Sequence, residues 1–204
     1  NKVIDKLHHE CGCETIRLPC SQSFSEPHSN DAATTSPAPS ECEPTMEHTI
    51  ATIPARSVIQ RSSKTPHKLA VLVPYRNREK QARALIPALQ AYLLNQGVEF
   101  QIFILEQAQR TNFNRGLLLN AGVLMLEGSD FDHFCLHDVD TLPHKGTILY
   151  SYPMGEVPRH VTPNGVHPES KYPQFFSGVV IFSREQFVKI NGYGNNFWGW
   201  GKEE

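Results

Sequence analysis

Short apolar runs alternate with longer amphipathic segments between residues 68 and 138. Residues 68–74, KLAVLVP, are apolar and rich in β-branched residues, which predicts a strand buried on both faces. Residues 98–107 and 133–138 predict two further strands. A strand, helix, strand, helix, strand order with short connections predicts right-handed crossovers and a parallel sheet covered by helices on both sides.

Two helices are predicted between these strands. Residues 78–97 carry apolar side chains at helical spacing, with Gly97 as a stop and Pro87 as the site of a kink. The expected buried positions of this helix are Ala82, Leu85, Ile86, Leu89 and Leu93. For the second helix, within residues 112–128, the expected buried face is Leu117, Ala121, Leu124 and Met125.

The remaining part of the chain predicts one more strand, one more helix and an aromatic loop. Residues 175–183, FFSGVVIFS, predict the strand, and Ser183 with Gln186 forms a possible capping box for a helix over 184–191. Residues 192–204 interleave glycines with large rings. Tryptophan faces are a common platform for sugar rings, and the alternative is a hydrophobic plug packed on the core.

The composition changes near residue 66. Residues 21–66 are dense in Ser, Thr, Pro, Ala and Glu without a sustained period, so we predict that 1–66 is a disordered stem and 67–204 a folded domain. Four of the five cysteines lie in the stem. They favour disulfides or free thiols, since a zinc site built from His8, His9, Cys11, Cys13 and Cys20 would match no standard spacing.

Composition and charge exclude several classes of function. The chain has 204 residues, 39% hydrophobic content and a formal net charge of -2, which suits an ordinary globular domain and indicates neither nucleic acid nor a membrane surface as a partner. No apolar stretch approaches the roughly 20 residues of a transmembrane helix. Because the chain begins at Asn1 and stops after WGWGKEE, we expect it to be a fragment.

Polar residues follow each of the first three predicted strands. Arg76 and Arg78 follow the first strand, residues 107–112 the second, and Asp138 and Asp140 the third. The carboxyl ends of parallel strands meet at one edge of a sheet, where ligands bind. Arginine forks suit phosphate and carboxylate oxygens suit Mg²⁺ or Mn²⁺, so a metal-bound diphosphate would satisfy both sets. Taken singly, the arginines could form surface salt bridges and the aspartates a solvated strand end.

No glycine-rich phosphate loop follows any of these strands. Neither G-x-G-x-x-G nor G-x-x-x-x-G-K-[ST] occurs there, which disfavours dinucleotide oxidoreductases and P-loop enzymes. A sheet that binds a nucleotide through arginines and a carboxylate-held metal is typical of nucleotide-sugar transferases.

Five segments together resemble the β-1,4-galactosyltransferase family over residues 68–204. They are PYRNR at 74–78, FNRGLLLNAG at 113–122, HDVDTLP at 137–143, FFSG at 175–178 and NGYGNNFWGWG at 191–201. The histidine before Asp-Val-Asp and the VHP at 166–168 look like the xylosylprotein branch, which builds the proteoglycan linkage region.

The resemblance implies an enzyme with an α/β, GT-A-like, Rossmann-type fold that has a mostly parallel central sheet. It also implies UDP-galactose as donor, a glycan or glycoprotein acceptor, Mn²⁺ as cofactor, inversion at the anomeric centre, and a place in the Golgi lumen behind a membrane anchor that this chain lacks. Asp140 is the implied metal ligand, Trp200 and Glu203 the implied acceptor side, with Glu203 and Glu204 as the candidate catalytic carboxylates. The implied donor-binding residues are Pro74, Tyr75, Arg76, Arg78, Phe113, Arg115, Asp138, Phe175 and Trp200.

The sequence departs from the family pattern at its end. Glu204 stands where the family has the proposed catalytic aspartate, and the remaining metal ligands of the family, including a histidine, are expected beyond residue 204. We therefore expect this chain alone to be inactive. The alternative function is a nucleotide-sugar or glycan binding module without transfer activity.

Overall fold

A mixed six-stranded sheet forms the centre of the described fold. The computed structural model describes residues 67–107, 112–143, 150, 156–162 and 176–199, and the backbone of residues 14–18. The strands are β1 Glu14–Leu18, β2 Leu69–Tyr75, β3 Phe100–Gln107, β4 His133–His137, β5 Arg159–His160 and β6 Val179–Ser183. The helices are α1 Glu79–Gln96, α2 Arg115–Met125 and α3 Arg184–Lys189.

The sheet is mostly parallel, as predicted. Its strand order is β1-β3-β2-β4-β6-β5. Strands β1, β3, β2 and β4 pair in parallel, β6 pairs antiparallel with β4, and β5 pairs antiparallel with β6. The predicted succession of strands and helices is therefore confirmed, with ends that differ by one or two residues for the first three strands. The carboxyl ends of β2, β3 and β4 lie at the same edge because these strands are parallel neighbours.

Side chains of β2 alternate between two hydrophobic clusters on opposite faces of the sheet. Leu69, Val71 and Val73 pack in the cluster that contains the buried side of α1. Ala70 and Leu72 pack in the other cluster, which contains the buried residues of α2 and Phe187 of α3. Every residue of β2 is buried, which confirms a strand covered on both faces.

Helix α1 buries the residues that the sequence predicts. They are Ala82, Leu85, Ile86, Leu89 and Leu93. The helix ends at Gly97, which adopts a left-handed conformation with φ of 70° and donates its N–H to the carbonyls of Leu93 and Leu94. Helix α1 continues through the exposed Pro87. The kink at this residue stays a prediction.

The predicted buried face of α2 is wrong. Leu124 and Met125 are 68% and 49% exposed, whereas Gly116, Leu118, Leu119, Gly122 and Val123 are buried. The residues from Leu117 to Met125 are apolar except for Asn120, so periodicity alone could not select a face. Gly122 lies on the buried face: a Cβ at this position would lie 2.7 Å from Cδ1 of Leu105, so a larger residue here would require Leu105 to move.

An edge strand lies within the segment predicted as a stem. Residues 14–18 pair in parallel with β3, from Glu14 opposite Phe103 to Leu18 opposite Gln107. Five residues with alternating polarity are too short for a periodicity argument, and the pairing partner is far away in the sequence. The division of the chain at residue 66 stays a prediction, and residues 19–66 lie outside the described part.

Helix α3 begins as the sequence predicts. The Ser183 side chain accepts a hydrogen bond from the Gln186 N–H, and the Gln186 side chain accepts one from the Ser183 N–H. This reciprocal pair is a capping box and confirms the helix start. None of the helices in the described part of the chain combines the length and apolar character needed to cross a membrane.

Candidate active site

Two arginine–aspartate pairs lie beyond the carboxyl ends of β2 and β4. Tyr75, the last residue of β2, is buried, and the chain then turns through Asn77, which has a positive φ of 53°. Beyond this turn, a guanidinium nitrogen of Arg78 lies 3.9 Å from an Asp140 carboxylate oxygen. At the same edge, Arg115 contacts Asp138. The structure thus brings Arg78 and Asp140 together at the edge where the sequence placed them, and it adds Arg115, which the family resemblance implied.

Asp138 is held firmly by its neighbours. Its Oδ1 accepts a hydrogen bond from Nε of Arg115 at 2.7 Å, and only 24% and 12% of the two side chains are exposed. The Asp138 N–H donates to the Gly178 carbonyl at 2.9 Å. A short, charge-assisted contact with little water around it fixes both side chains.

Asp140 is in a different environment. Its side chain and that of Arg78 are each more than half exposed, and their 3.9 Å separation is too long for a hydrogen bond. Of the two carboxylates, Asp140 is thus the one that is open to a cation, while Asp138 is engaged by Arg115. The chemistry of the site, a hard carboxylate oxygen beside guanidinium groups, fits a divalent metal with a diphosphate.

Phe113 links the end of β2 to the aromatic loop. The Arg76 guanidinium lies over the Phe113 ring, with 5.2 Å from its carbon to the ring centroid. The Phe113 carbonyl accepts a hydrogen bond from the Gly199 N–H at 2.8 Å. Phe113 therefore lies between an arginine and the loop that precedes Trp200.

His137 orients the aspartate segment without being a ligand candidate. Its ring is fully buried, and Nδ1 donates to the Asp138 carbonyl at 2.8 Å, since a carbonyl can only accept. Nε2 then accepts from the Tyr150 hydroxyl at 2.7 Å. Burial lowers the pKa of His137 to about 4, so the ring is neutral at neutral pH.

Two asparagines of the FNRGLLLNAG segment fasten the aromatic loop to α2. Asn114 is buried, caps α2 by accepting from the Leu117 N–H, and donates to the Asn195 carbonyl at 2.7 Å. Asn120 donates to the Tyr193 carbonyl and accepts from the Tyr193 N–H at 2.9 Å. Neither role was predicted from the sequence, although for Asn120 a polar residue inside an apolar helix was a usable signal.

Removal of the Asn120 side chain is expected to loosen this loop. Asn120→Ala deletes the hydrogen bonds to Tyr193 and to Asn195, and it should lower the free energy of unfolding by about 1–3 kcal/mol. Denaturant titration measures the change. Leu124→Ala on the same helix is the matched control, because Leu124 is 68% exposed and its truncation should cost less than about 0.5 kcal/mol. Equal losses in the two variants would contradict the role of Asn120.

Four of the predicted site residues lie outside the described part of the chain. These are Phe175, Trp200, Glu203 and Glu204. Their roles stay predictions. Pro74 and Tyr75 are buried at the end of β2, where they pair with Leu105 and Glu106 of β3.

Comparisons with known proteins decide the family. One family model, the N-terminal region of glycosyl transferase group 7, matches residues 59–153, and a second, the N-terminal domain of galactosyltransferase, matches residues 158–204. The chain belongs to the β-1,4-galactosyltransferase family. The resemblance inferred from the five sequence segments is confirmed.

Similar galactosyltransferases come from several animals. β-1,4-Galactosyltransferase 7 of Drosophila melanogaster is 39% identical over 138 residues, which cover 68% of this chain and 42% of the relative. β-1,4-Galactosyltransferase 4 of Cricetulus griseus is 41% identical and covers 69% of this chain and 41% of the relative. The xylosylprotein 4-β-galactosyltransferase of Caenorhabditis elegans is 36% identical, with 68% of this chain and 48% of the relative covered. The chain thus spans less than half the length of these three relatives.

A solved structure has the same fold. The crystal structure of a Drosophila β-1,4-galactosyltransferase 7 mutant in complex with manganese, UDP-Gal and xylobiose matches with a TM-score of 0.64 and 39% identity. The match covers 67% of this chain and 57% of that chain. The predicted GT-A-like α/β galactosyltransferase fold is therefore confirmed.

Proposed function

We propose that the full-length protein is a metal-dependent, inverting glycosyltransferase that moves galactose from UDP-galactose to a sugar hydroxyl in β-1,4 linkage. The proposed acceptor is the xylose of a proteoglycan linkage region. The observation that carries the proposal is the convergence of the Arg78–Asp140 and Arg115–Asp138 pairs at the carboxyl edge of the sheet. It is supported by the Drosophila relative, whose structure holds manganese, UDP-Gal and xylobiose.

The donor would occupy the edge formed by β2, α2 and β4. Pro74, Tyr75, Arg76 and Arg78 line the uridine side in this proposal, and Phe113 and Arg115 the diphosphate side. Arg115 also positions Asp138, because its Nε donates a hydrogen bond to Asp138 Oδ1. Trp200 and Phe175 complete the proposed donor site.

Asp140 would hold the divalent cation, for which Mn²⁺ is the proposed choice. When bound, the cation neutralises charge on the diphosphate and makes UDP a better leaving group. The carboxylate of Asp140 is exposed enough to coordinate a cation without breaking the partly buried Arg115–Asp138 contact.

The acceptor sugar would bind on the far side of the donor galactose. Trp200 offers a ring face to the sugar and Glu203 a hydrogen-bond acceptor to its hydroxyls. Glu204 takes the proton from the attacking hydroxyl as a new bond forms to the anomeric carbon. The bond to the diphosphate breaks on the opposite face, UDP leaves with the electron pair, and the configuration inverts.

The proposed location is the Golgi lumen. Similarity to the β-1,4-galactosyltransferases supports this location.

Acceptor competition tests the proposed function. The full-length protein, UDP-galactose and Mn²⁺ are incubated with a xyloside or an N-acetylglucosaminide, and kcat/KM is measured for each. We expect transfer to the xyloside to be preferred. Exclusive transfer to the N-acetylglucosaminide would refute the acceptor assignment, and UDP-galactose binding without transfer to either would favour the non-catalytic binding module.

Donor choice is expected to depend on Phe175. A large ring beside the galactose C2 leaves little room for an N-acetyl group, so UDP-galactose should be preferred over UDP-N-acetylgalactosamine. Phe175→Leu should narrow the kcat/KM ratio of the two donors while galactose transfer persists, since discrimination by shape is worth about 1–3 kcal/mol. The thermal midpoint of unfolding of the Phe175→Leu variant is measured together with this ratio. A lowered midpoint with an unchanged donor ratio would instead assign Phe175 to the core.

A further inference from the structure

A histidine–aspartate–histidine cluster lies at the opposite edge of the sheet from the proposed donor site. It consists of His67, Asp132 and His133, one ligand atom of each lying within 4.8 Å of the others. Nδ1 of His67 is 2.5 Å from Asp132 Oδ2, and Nδ1 of His133 is 3.0 Å from Asp132 Oδ1. The two imidazoles thus face the two oxygens of one carboxylate, and no part of the proposed transferase mechanism uses them.

The backbone fixes the cluster on two neighbouring strands. His67 lies just before β2, Asp132 lies just before β4, and His133 is the first residue of β4 and pairs with Leu69. The Lys68 carbonyl accepts from the N–H groups of both Asp132 and His133. The Lys68 N–H donates to Asp132 Oδ1 at 2.8 Å, which orients the carboxylate.

Burial and charge also suit a cation. The His133 side chain is 8% exposed, whereas those of His67 and Asp132 are 44% and 42% exposed, so an ion would have one fixed ligand and an open side towards solvent. The ammonium group of Lys68, which is nearby, donates a hydrogen bond to Asp130 Oδ2 at 2.8 Å. This contact pairs its positive charge with a carboxylate outside the cluster.

We infer that His67, Asp132 and His133 form a zinc-binding site that joins the start of β2 to the start of β4. Two imidazole nitrogens and one carboxylate oxygen are a donor set that zinc prefers, with water as a fourth ligand. Bond lengths of about 2.0–2.1 Å place tetrahedral ligand atoms about 3.3 Å apart. The two imidazole–carboxylate separations, 2.5 and 3.0 Å, are shorter than this value, so zinc would push these atoms apart by up to about 1 Å, a shift that the exposed His67 side chain can make.

The metal-binding test uses Zn²⁺ or Co²⁺ alone as the probe. All measurements of metal binding are made on protein that carries Asp140→Ala, which removes the proposed metal ligand of the donor site. Untagged full-length protein carrying this change is titrated with Zn²⁺ by calorimetry. Its cobalt form is examined for the absorption bands of a four-coordinate ion. We expect one equivalent of Zn²⁺ to bind and the thermal midpoint to rise by roughly 5 °C at a hundredfold excess over Kd.

Substitutions within the cluster and at a neighbouring residue test whether these three side chains bind the zinc. His67→Ala and Asp132→Asn should each weaken zinc binding by about 10-fold or more. Asp130→Asn, which removes a neighbouring carboxylate that pairs with Lys68, should bind zinc like the background protein. Zinc binding that survives both cluster variants would assign the ion to other residues of the chain and overturn the proposal, as would the absence of any stoichiometric binding. Transfer activity of His67→Ala in the natural background should be unchanged, so this test is independent of the proposed function.

Discussion

Asp140→Ala is expected to abolish Mn²⁺-dependent binding of UDP, with a loss in affinity of roughly 10²-fold or more. The Asp140 carboxylate is exposed and lies 3.9 Å from a guanidinium nitrogen of Arg78, so within the described part of the chain its removal breaks no short ion pair. We therefore expect the substitution to weaken binding of the cation and of the diphosphate bound to it, and not to unfold the protein. Calorimetric titration of the full-length protein with UDP, with and without Mn²⁺, measures it. The thermal midpoint should hardly change.

Asp138→Ala is the matched comparison. It should weaken Mn²⁺-dependent UDP binding less than Asp140→Ala and destabilise the fold more. Its effect on Mn²⁺-dependent UDP binding should be smaller, because the proposed ligand Asp140 remains. Its effect on stability should be larger, because Arg115 is 12% exposed and loses a 2.7 Å hydrogen bond to a carboxylate. We expect a cost of about 1.5–3 kcal/mol in the free energy of unfolding. Equal and small effects of the two substitutions on UDP binding would contradict the assignment of Asp140 to the metal.

Glu204→Gln is expected to lower kcat by roughly 10²-fold or more while donor affinity stays nearly unchanged. The amide keeps the size and polarity of the side chain but cannot accept the proton of the acceptor hydroxyl. A change confined to kcat is the mark of an interaction made in the transition state. Initial rates at saturating UDP-galactose, together with UDP titration, measure both quantities in the full-length protein.

Glu203→Gln is the control for the catalytic base. Glu203 is assigned to binding the acceptor, so its substitution should raise KM for the acceptor more than it lowers kcat. A fully active Glu204→Gln variant would move the base to another carboxylate, and a collapse of kcat in Glu203→Gln would point to Glu203.

Helices α1 and α2 show why sequence reasoning succeeded for one element and failed for another. In α1, apolar and polar residues alternate clearly around the helix, so the buried stripe could be predicted residue by residue. In α2, apolar residues cover most of the circumference, and the buried side is the one on which Gly122 lies close to Leu105. That contact depends on the packing of the helix against the sheet, which no local period encodes.

In the candidate site, too, some contacts could be predicted from the sequence and others could not. The parallel order of β2, β3 and β4 was enough to predict that Arg78 and Asp140 lie near each other, because topology brings the strand ends together. The partners of Asn114 and Asn120 lie more than 70 positions further along the chain, in a loop that had no predicted contact with α2. Such contacts between side chains and distant backbone groups leave no periodic signal.

The central claim is tested most directly by the product formed from UDP-galactose and a xyloside. The full-length protein is incubated with both in the presence of Mn²⁺, in a chelator, and after Mn²⁺ is restored, and proton NMR identifies the linkage. We predict a galactose joined in β configuration to O4 of xylose, formed with Mn²⁺, absent in the chelator, and recovered when the metal returns. An α-linked product, or transfer that is undiminished in the chelator, would contradict the account.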